Sequence, residues 1–471
     1  MKKIKTQKNK NIRASAKKQI SKSVEKKVKK IEEQVEVKHK SGKTFNVLRG
    51  MKDILPPEEK YWRICYHAAE NLAKFFQFGR IETPLLEEAN LFIRSIGKGT
   101  DVVDKEMYVF EDSDGEKICL RPEATASIAR AYIGHGMWNN SQPVKLWYWG
   151  PMFRHDRPQA GRYREFFQVG FETLGNADPS VDAELILVAY NFYKDLGLPV
   201  NVRVNSIGFP EERQRYKTAL ADYYRAKRNR LCDDCKHRLA KNPLRLLDCK
   251  QEQCQSVKED APQIVDWLEE ESKNHLMKVV EYLDELSIPY VLDPTLVRGL
   301  DYYTRTVFEI YTAFEGVENT SAQSALGGGG RYDLLAEQMG GRPVPAGGFA
   351  LGVERAILAI KQFNELNKIE MPQESPDLFF AQLGDKAKRR AMKIINDLRN
   401  SGLKIGYNFT KDSLKSQLEI ANSQKIPYAL ILGQKEVQDN SIIIRDMESG
   451  NQEIVDQQKI KAIMLKKIGI K

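Results

Sequence analysis

Residues 147–172, WYWGPMFRHDRPQAGRYREFFQVGFE, decide the fold. Both flanks have strand chemistry. Residues 144–153 are rich in aromatics, and residues 163–174 alternate in character and carry three phenylalanines, side chains that suit a pleated surface. Between them runs RHDRPQAGRYR (154–164), with four arginines in eleven residues, and Pro158 and Gly161 mark a turn inside it. The stretch is expected to form two antiparallel strands joined by a long basic loop. A turn of about two residues would have closed such a hairpin, so the extra length points to a task. Arginine keeps its charge and grips phosphate with paired donors. The plainer alternative is a solvated basic loop.

The chain has 471 residues, too many for one core, and about two to four domains are expected. Its formal charge of +10 is uneven. Residues 1–40 hold 15 Lys or Arg against 4 Glu, so the basic character belongs to that segment and the remainder is near neutral. Ile20, Val24, Val28, Ile31 and Val35 fall at helical spacing there. The tail over 1–41 is therefore expected to be disordered or partly helical, as a solubilising tail, an RNA-contacting arm or a membrane-surface helix. No apolar run approaches the ~18 residues of a membrane span, and no apolar segment follows the N-terminal lysines as a secretory leader requires. Six cysteines in a chain of this length suit reduced thiols or metal ligands in a cytoplasm.

From Phe45 onward the folded body begins. Residues 58–78 have the pattern of an amphipathic helix, followed by a strand ending at Pro84. MYVFED and KICLRPE read as strands joined by a Ser-Asp-Gly turn, and CLRPEATASIAR passes from strand to helix, placing Glu123 and Thr125 at the junction. There they either cap the helix or hold a substrate ammonium. SVDAELILVAYNFYKDLGL predicts a helix and NVRVNSIG a strand. Residues 209–275 turn helical and charged and hold Cys232, Cys235, Cys249 and Cys254, a CxxC followed by a CxxxxC, candidates for a tetrahedral zinc site. LVRGLDYYTRTVFEIY runs from loop to strand, GGGGRYD carries four glycines that something must approach closely, and PAGGFALGVERAILAIKQF predicts strand, loop and helix. No Gly-Lys-Ser/Thr follows these four glycines, so they are not a P-loop. After a polar linker at 362–376, the last hundred residues alternate strand and helix, an α/β pattern with parallel pairing.

Five words occur in order: RPEAT (121–125), FRHDRPQAGRYREFFQVGFE (153–172), RGLDYY (298–303), GGGGRYD (327–333) and GFALGVER (348–355). The second resembles motif 2 of class II aminoacyl-tRNA synthetases in its histidyl form. The helix and strand before Pro84 resemble motif 1, the dimer element, and GVER resembles motif 3. RGLDYY with GGRYD is specific to histidyl-tRNA synthetases. The resemblance implies an α+β catalytic domain over 42–361, built on an antiparallel sheet with the helical insertion at about 209–275. It also implies a C-terminal α/β anticodon-binding domain over 377–471 and leaves the basic N-terminal tail outside.

The activity implied is attack of L-histidine on the α-phosphorus of ATP, with Mg2+, and transfer of the histidyl group to the 3′ end of tRNA(His), by a cytoplasmic homodimer with no membrane partner. By motif, Arg154 is expected at the α-phosphate and histidine carboxylate, Phe166 against adenine, and Arg355 at adenine and the γ-phosphate. Glu123, Thr125 and Gln168 are expected at the α-ammonium, and Glu172 and Tyr303, beside Tyr302, at the imidazole. Arg298 is expected to be the second catalytic cation, with Asp301 either orienting it or capping a turn. Arg157 and Gln159, at the loop tip, are expected to touch tRNA. The competing readings are the synthetase-like regulatory subunit of ATP phosphoribosyltransferase and a nonenzymatic tRNA sensor. The intact arginine words and the C-terminal α/β segment argue against both.

Overall fold

The computed structural model describes residues 45–97, 100–314, 325–371 and 375–469; the lysine-rich tail lies outside the described residues. The chain divides after Asn367 into two compact units. In the first, the strands are β1 (Gly79–Arg80), β2 (Leu86–Glu88), β3 (Val109–Glu111), β4 (Lys117–Leu120), β5 (Val144–Phe153), β6 (Glu165–Leu174), β7 (Val200–Ser206), β8 (Tyr290–Leu292), β9 (Thr304–Thr312), β10 (Gly327–Arg331) and β11 (Ala346–Gly352). Eight of them form one sheet in the order β1-β5-β6-β11-β10-β9-β7-β8. Only the edge pairs β1–β5 and β7–β8 are parallel. β2, β4 and β3 make a small antiparallel sheet beside it.

β5 and β6 are the two strands read from 144–174, and their register is unbroken from Val144↔Leu174 to Phe153↔Glu165. Side chains alternate across a strand. On one face Trp147, Phe171 and Phe349 sit side by side on β5, β6 and β11, with ring centroids 6.1 and 5.3 Å apart. Four helices, Pro56–Phe75, Pro179–Asp195, Glu270–Glu285 and Val353–Asn367, bury Leu72, Ile186, Val279 and Ile357 against this face. The other face of β6 therefore presents Phe166, Gln168, Gly170 and Glu172, and this is the face on which the site is built.

The first helix starts earlier and ends earlier than the 58–78 read from the pattern. Pro56 and Pro57 fit its first turn, where no N–H is needed. Gln77, at φ 60°, breaks the helix before Phe78. The charged region after β7 folds as helices Pro210–Ala226, Asp233–Lys241 and Glu252–Glu259 linked by short turns. Tyr216, Leu220, Leu239 and Val257 join them to a core shared with Tyr302 and Tyr332. The next helix, Glu270–Glu285, belongs instead to the layer covering the sheet.

The second unit holds β12 (Leu378–Gln382), β13 (Ile405–Tyr407), β14 (Tyr428–Leu432), β15 (Ser441–Asp446) and β16 (Gln452–Asp456) in the order β13-β12-β14-β15-β16. The first three pair in parallel, as the alternating pattern implies. The last two add antiparallel strands, and β16 was not expected from the sequence. Among the described residues no helix is long and apolar enough to cross a membrane.

Candidate active site

The site face of the first unit borders a cavity of about 630 Å³. Arg154, Phe166, Gln168 and Arg355 reach it from the β5–β6 hairpin and the helix after β11. Glu123 and Thr125 come from the start of helix Thr125–Gly134, and Arg298, Tyr302 and Tyr303 from the loop before β9. Residues separated by more than two hundred positions thus share one wall system, because the antiparallel sheet sets their strands side by side.

At one end the charge is positive. Arg154 Nε donates to the Pro122 carbonyl at 2.9 Å, and its guanidinium lies 5.5 Å from the Phe166 ring centre. Arg355 Nε donates to Gly161 O at 3.1 Å, fixing the helix start to the basic loop. Burial, then the neighbouring guanidiniums of Arg162 and Arg154, pull Arg355 down to about 10. It stays charged at neutral pH, yet three cations face one space, with Asp156 on Arg162 at 3.2 Å and Glu106 near Arg154 and Arg162 as carboxylates beside them. Such an arrangement is built to take up a polyanion.

The other end is acidic and phenolic. Glu172 is fully buried; Thr125 Oγ1 donates to its Oε1 at 2.8 Å and the Tyr332 hydroxyl donates to its Oε2. Burial lifts the Glu172 carboxyl to about 8, against the pull of these two hydrogen bonds. Glu123 accepts from the backbone N–H groups of Thr125 and Ala126 at 2.7 and 2.9 Å, so it caps the helix from within the cavity wall. Burial raises its carboxyl as well. Thr125 does not cap; its hydroxyl is committed to Glu172. Gln168 Oε1 and the Tyr148 hydroxyl are buried without a hydrogen-bond partner among the described residues, and both residues line the cavity. An unmet buried polar atom costs about 1–3 kcal/mol, which marks both as groups awaiting a ligand donor or acceptor.

Between the two ends lies Arg298. Its Nη1 donates to the Glu309 carboxylate and its guanidinium stands 5.5 Å from the Tyr303 ring centre. Tyr302 and Tyr303 are both buried, with ring centres 4.7 Å apart. The acidic partner of Arg298 is therefore Glu309 on β9, not Asp301. Asp301 turns away because its backbone N–H bonds Ile96 O at 3.0 Å and its side chain fills the space beside Gly97. The floor is β10: a Cβ on Gly328 would sit 2.8 Å from Arg298 Nη1 and 2.3 Å from the Phe308 carbonyl.

Arg157 and Gln159 are exposed at the tip of the loop, where Gln159 and Arg162 bridge through backbone hydrogen bonds of 3.1 and 2.9 Å. Gln159 reaches the cavity rim; Arg157 does not. The sulfur atoms of Cys232, Cys235, Cys249 and Cys254 converge within 4.8 Å of one another, and Cys232 and Cys249 border the same cavity. Sequence reasoning missed Tyr148, Arg162, Glu309 and Tyr332. Tyr332 stood inside the GGGGRYD word, next to the glycines that were noticed. Tyr148 lies within the opening stretch, but its reason shows only in the fold: it pairs with Gly170, where a Cβ would lie 2.4 Å from the Tyr148 hydroxyl.

Comparison with known proteins agrees with this architecture. Residues 50–356 match the family model described as Histidyl-tRNA synthetase, and residues 377–467 match an anticodon binding domain. A histidine-tRNA ligase of Dehalococcoides mccartyi is 47% identical over 405 residues, 86% of this chain and 95% of the relative. Another from Halothermothrix orenii is 44% identical over 406 residues, again 86% and 95%. The apo histidyl-tRNA synthetase of S. aureus superimposes with a TM-score of 0.73 at 36% identity, over 89% of this chain and 100% of that one. A Bacillus halodurans chain described as an ATP phosphoribosyltransferase regulatory subunit/histidyl-tRNA synthetase has a TM-score of 0.59 at 20% identity, over 83% and 98%, and shares the fold alone. With the model spanning well over half of its length and relatives so similar over nearly all of theirs, the chain belongs to the histidyl-tRNA synthetase family.

Proposed function

We propose a division of labour for the histidine-tRNA ligase reaction that this chain catalyses. L-Histidine and ATP, the latter as its Mg2+ complex, give histidyl-adenylate and pyrophosphate; the 3′ end of tRNA(His) then takes the histidyl group. In the first step a carboxylate oxygen of histidine bonds to the α-phosphorus and the bond from that phosphorus to the pyrophosphate oxygen breaks. No side chain of the protein forms a bond, so catalysis is positioning and charge stabilisation. The observation that carries this reading is the bipolar cavity, three arginines at one end and a buried carboxyl held by Thr125 and Tyr332 at the other.

Arg154 holds the α-phosphate and the histidine carboxylate, with Phe166 as the adenine platform beneath it. Arg355 holds the adenine and the γ-phosphate. Arg298 meets the charge that grows on the α-phosphoryl oxygens, its direction set by Glu309. Glu123, Thr125 and the unpaired Oε1 of Gln168 receive the α-ammonium. Glu172 accepts from one imidazole nitrogen, and Tyr303, beside Tyr302, pairs with the other. A site that must satisfy a donor and an acceptor on one ring rejects amino acids lacking them by about 10⁴ or more. Arg157 and Gln159 contact tRNA from the loop tip. Zinc on Cys232, Cys235, Cys249 and Cys254 is a structural group outside the reaction. The helix Pro56–Phe75, the edge strand β1 and the exposed Leu85, Leu86, Val109 and Phe110 suit pairing with a second copy. A reducing cytoplasm suits the unbridged cysteines.

Pyrophosphate exchange decides the matter: purified protein should exchange labelled pyrophosphate into ATP with L-histidine and with no other amino acid. A folded protein that binds ATP and tRNA without such exchange would be a sensor, and the reading would fall.

A further inference from the structure

The inserted helices do more than fill a gap in the sequence, because they hold the loop that carries Arg298. Residues 293–303 between β8 and β9 have no helix or strand of their own, so their shape depends on outside partners. Two of these are arginines of the insertion. Arg245 Nη2 donates to the Gly299 carbonyl at 3.1 Å, one residue from Arg298. Arg213 Nη1 donates to the Tyr303 carbonyl at 2.6 Å.

Arg245 sits on the short turn Pro243–Leu246, inside the segment bounded by Cys235 and Cys249. The Cys249 N–H closes that turn by donating to Leu246 O at 3.1 Å. On the other side, Cys232 caps helix Asp233–Lys241 with its sulfur, which accepts from the Cys235 N–H at 3.4 Å. Cys254 Sγ accepts from the Cys232 N–H at 3.2 Å. Backbone donors aimed at sulfur suit thiolates rather than thiols. Tetrahedral zinc with Zn–S of about 2.3 Å holds its sulfurs about 3.8 Å apart. Cys232 Sγ and Cys249 Sγ are 3.9 Å apart, all four sulfurs lie within 4.8 Å, and none forms a disulfide.

We propose that a zinc ion bound by Cys232, Cys235, Cys249 and Cys254 acts on histidine activation at a distance, by clamping the turn that presents Arg245 to Gly299 and so fixing where Arg298 stands. This rests on the assignment of zinc to the four thiols and of Arg298 to the α-phosphate. Arg245 is a positioning residue; it touches the loop backbone and not the reacting atoms. Without the metal, the turn keeps its packing on helix Asp233–Lys241 through Leu246, Leu247 and Leu239 but loses the cross-link from Cys249 to Cys232 and Cys235, so Arg245 holds the Gly299 carbonyl less firmly.

Full-length protein purified in reductant without chelator is the material for the test. Wild type, Arg245→Ala and Arg245→Lys should each contain about one zinc per chain. Refilled with cobalt instead, the wild type should show the visible absorption of a tetrahedral thiolate site. Arg245→Ala should lower the turnover of histidine-dependent exchange about tenfold, the worth of one hydrogen bond, with the KM for ATP nearly unchanged. Arg245→Lys should recover much of the loss. Cys249→Ser should lose the metal and the same activity, and combining it with Arg245→Ala should cost no more than either alone. If Cys249→Ser does not unfold cooperatively, the Arg245 variants decide. Wild type with neither zinc nor a cobalt spectrum overturns the metal site. Zinc present with an unimpaired Arg245→Ala, or with additive losses, overturns the coupling and leaves the metal standing. A wild type that exchanges nothing overturns the catalytic assignment itself.

Discussion

Gly348 on β11 lies directly opposite Glu172 on β6, and a Cβ at Gly348 would stand 1.6 Å from Glu172 Oε2. The carboxyl occupies the space that any other residue would fill. Gly348→Ala should therefore push Glu172 off Thr125 and Tyr332. The KM for histidine should rise by on the order of tenfold or more, as expected for a displaced buried hydrogen-bond partner. ATP binding, which we assign to the arginine end of the cavity, should be kept. Titration calorimetry with each substrate separates the two; equal weakening of both would count against Glu172 as the imidazole partner.

Arg298 carries the largest expected catalytic effect. Removing one aligned donor from a site of developing charge typically costs on the order of 10²–10³ in rate. Arg298→His should cut histidine-dependent pyrophosphate exchange by that much, with unchanged circular dichroism and little change in transfer from preformed adenylate. It also strands Glu309 without its cation, so the melting temperature is measured alongside. Near-normal exchange would remove Arg298 from the chemistry.

Arg157 and Gln159 should matter to the second step alone. Replacing both with Ala should slow tRNA charging and spare pyrophosphate exchange. Because Gln159 also borders the cavity rim while Arg157 does not, the single Arg157→Ala is the cleaner probe. An equal loss in both assays would refute the assignment.

The Glu172 carboxyl sits at about 8 when folded, against an ordinary value of 4.5. A carboxyl raised in the folded state stabilises the protein below the lower value. That contribution is lost as pH rises through the upper one, because the unfolded chain has already given up its proton while the folded chain must ionise a buried group. Glu172→Gln cannot ionise. The unfolding free energy of the variant, read from denaturant titrations, should gain on wild type steadily between about pH 5 and 8 and then level off, a difference on the order of a few kcal/mol. A gap that stays constant across that window would mean Glu172 is ionised throughout.

Much of this was legible beforehand, and the reasons differ by residue. The hairpin was readable because aromatic strands and an arginine loop each carry a local signature. Arg154, Phe166, Gln168 and Glu172 came with it, since alternation along β6 puts the last three on one face. Partnerships were not readable. Arg298 meets Glu309 across a turn and into a strand, where no fixed spacing predicts contact, and the nearer Asp301 was the natural guess. The sequence leaves Glu123 open between cap and substrate ligand, and both its oxygens bond the helix N-terminus from the cavity wall. The links from Arg245 and Arg213 to the Arg298 loop span 54 and 90 residues and depend wholly on how the insertion folds back. In the second unit β16 escaped because QEIVD follows a turn and is polar enough to read as loop; it is an exposed edge strand.

The unbroken register of β6 between β5 and β11 also limits how such a gene can vary in length. Deleting or inserting a single codon within 165–174 would turn Phe166, Gln168 and Glu172 toward the helices and Phe167, Val169 and Phe171 toward the substrates. A change of two codons would restore the face but slide the buried Glu172 carboxyl about 7 Å along the strand, away from Thr125 and Tyr332. Length change in this hairpin is thus confined to its arginine loop. There an added residue near the exposed tip at Arg157 leaves the strand faces in register, although Gly161 and Arg162 tie the base of the loop to the cavity.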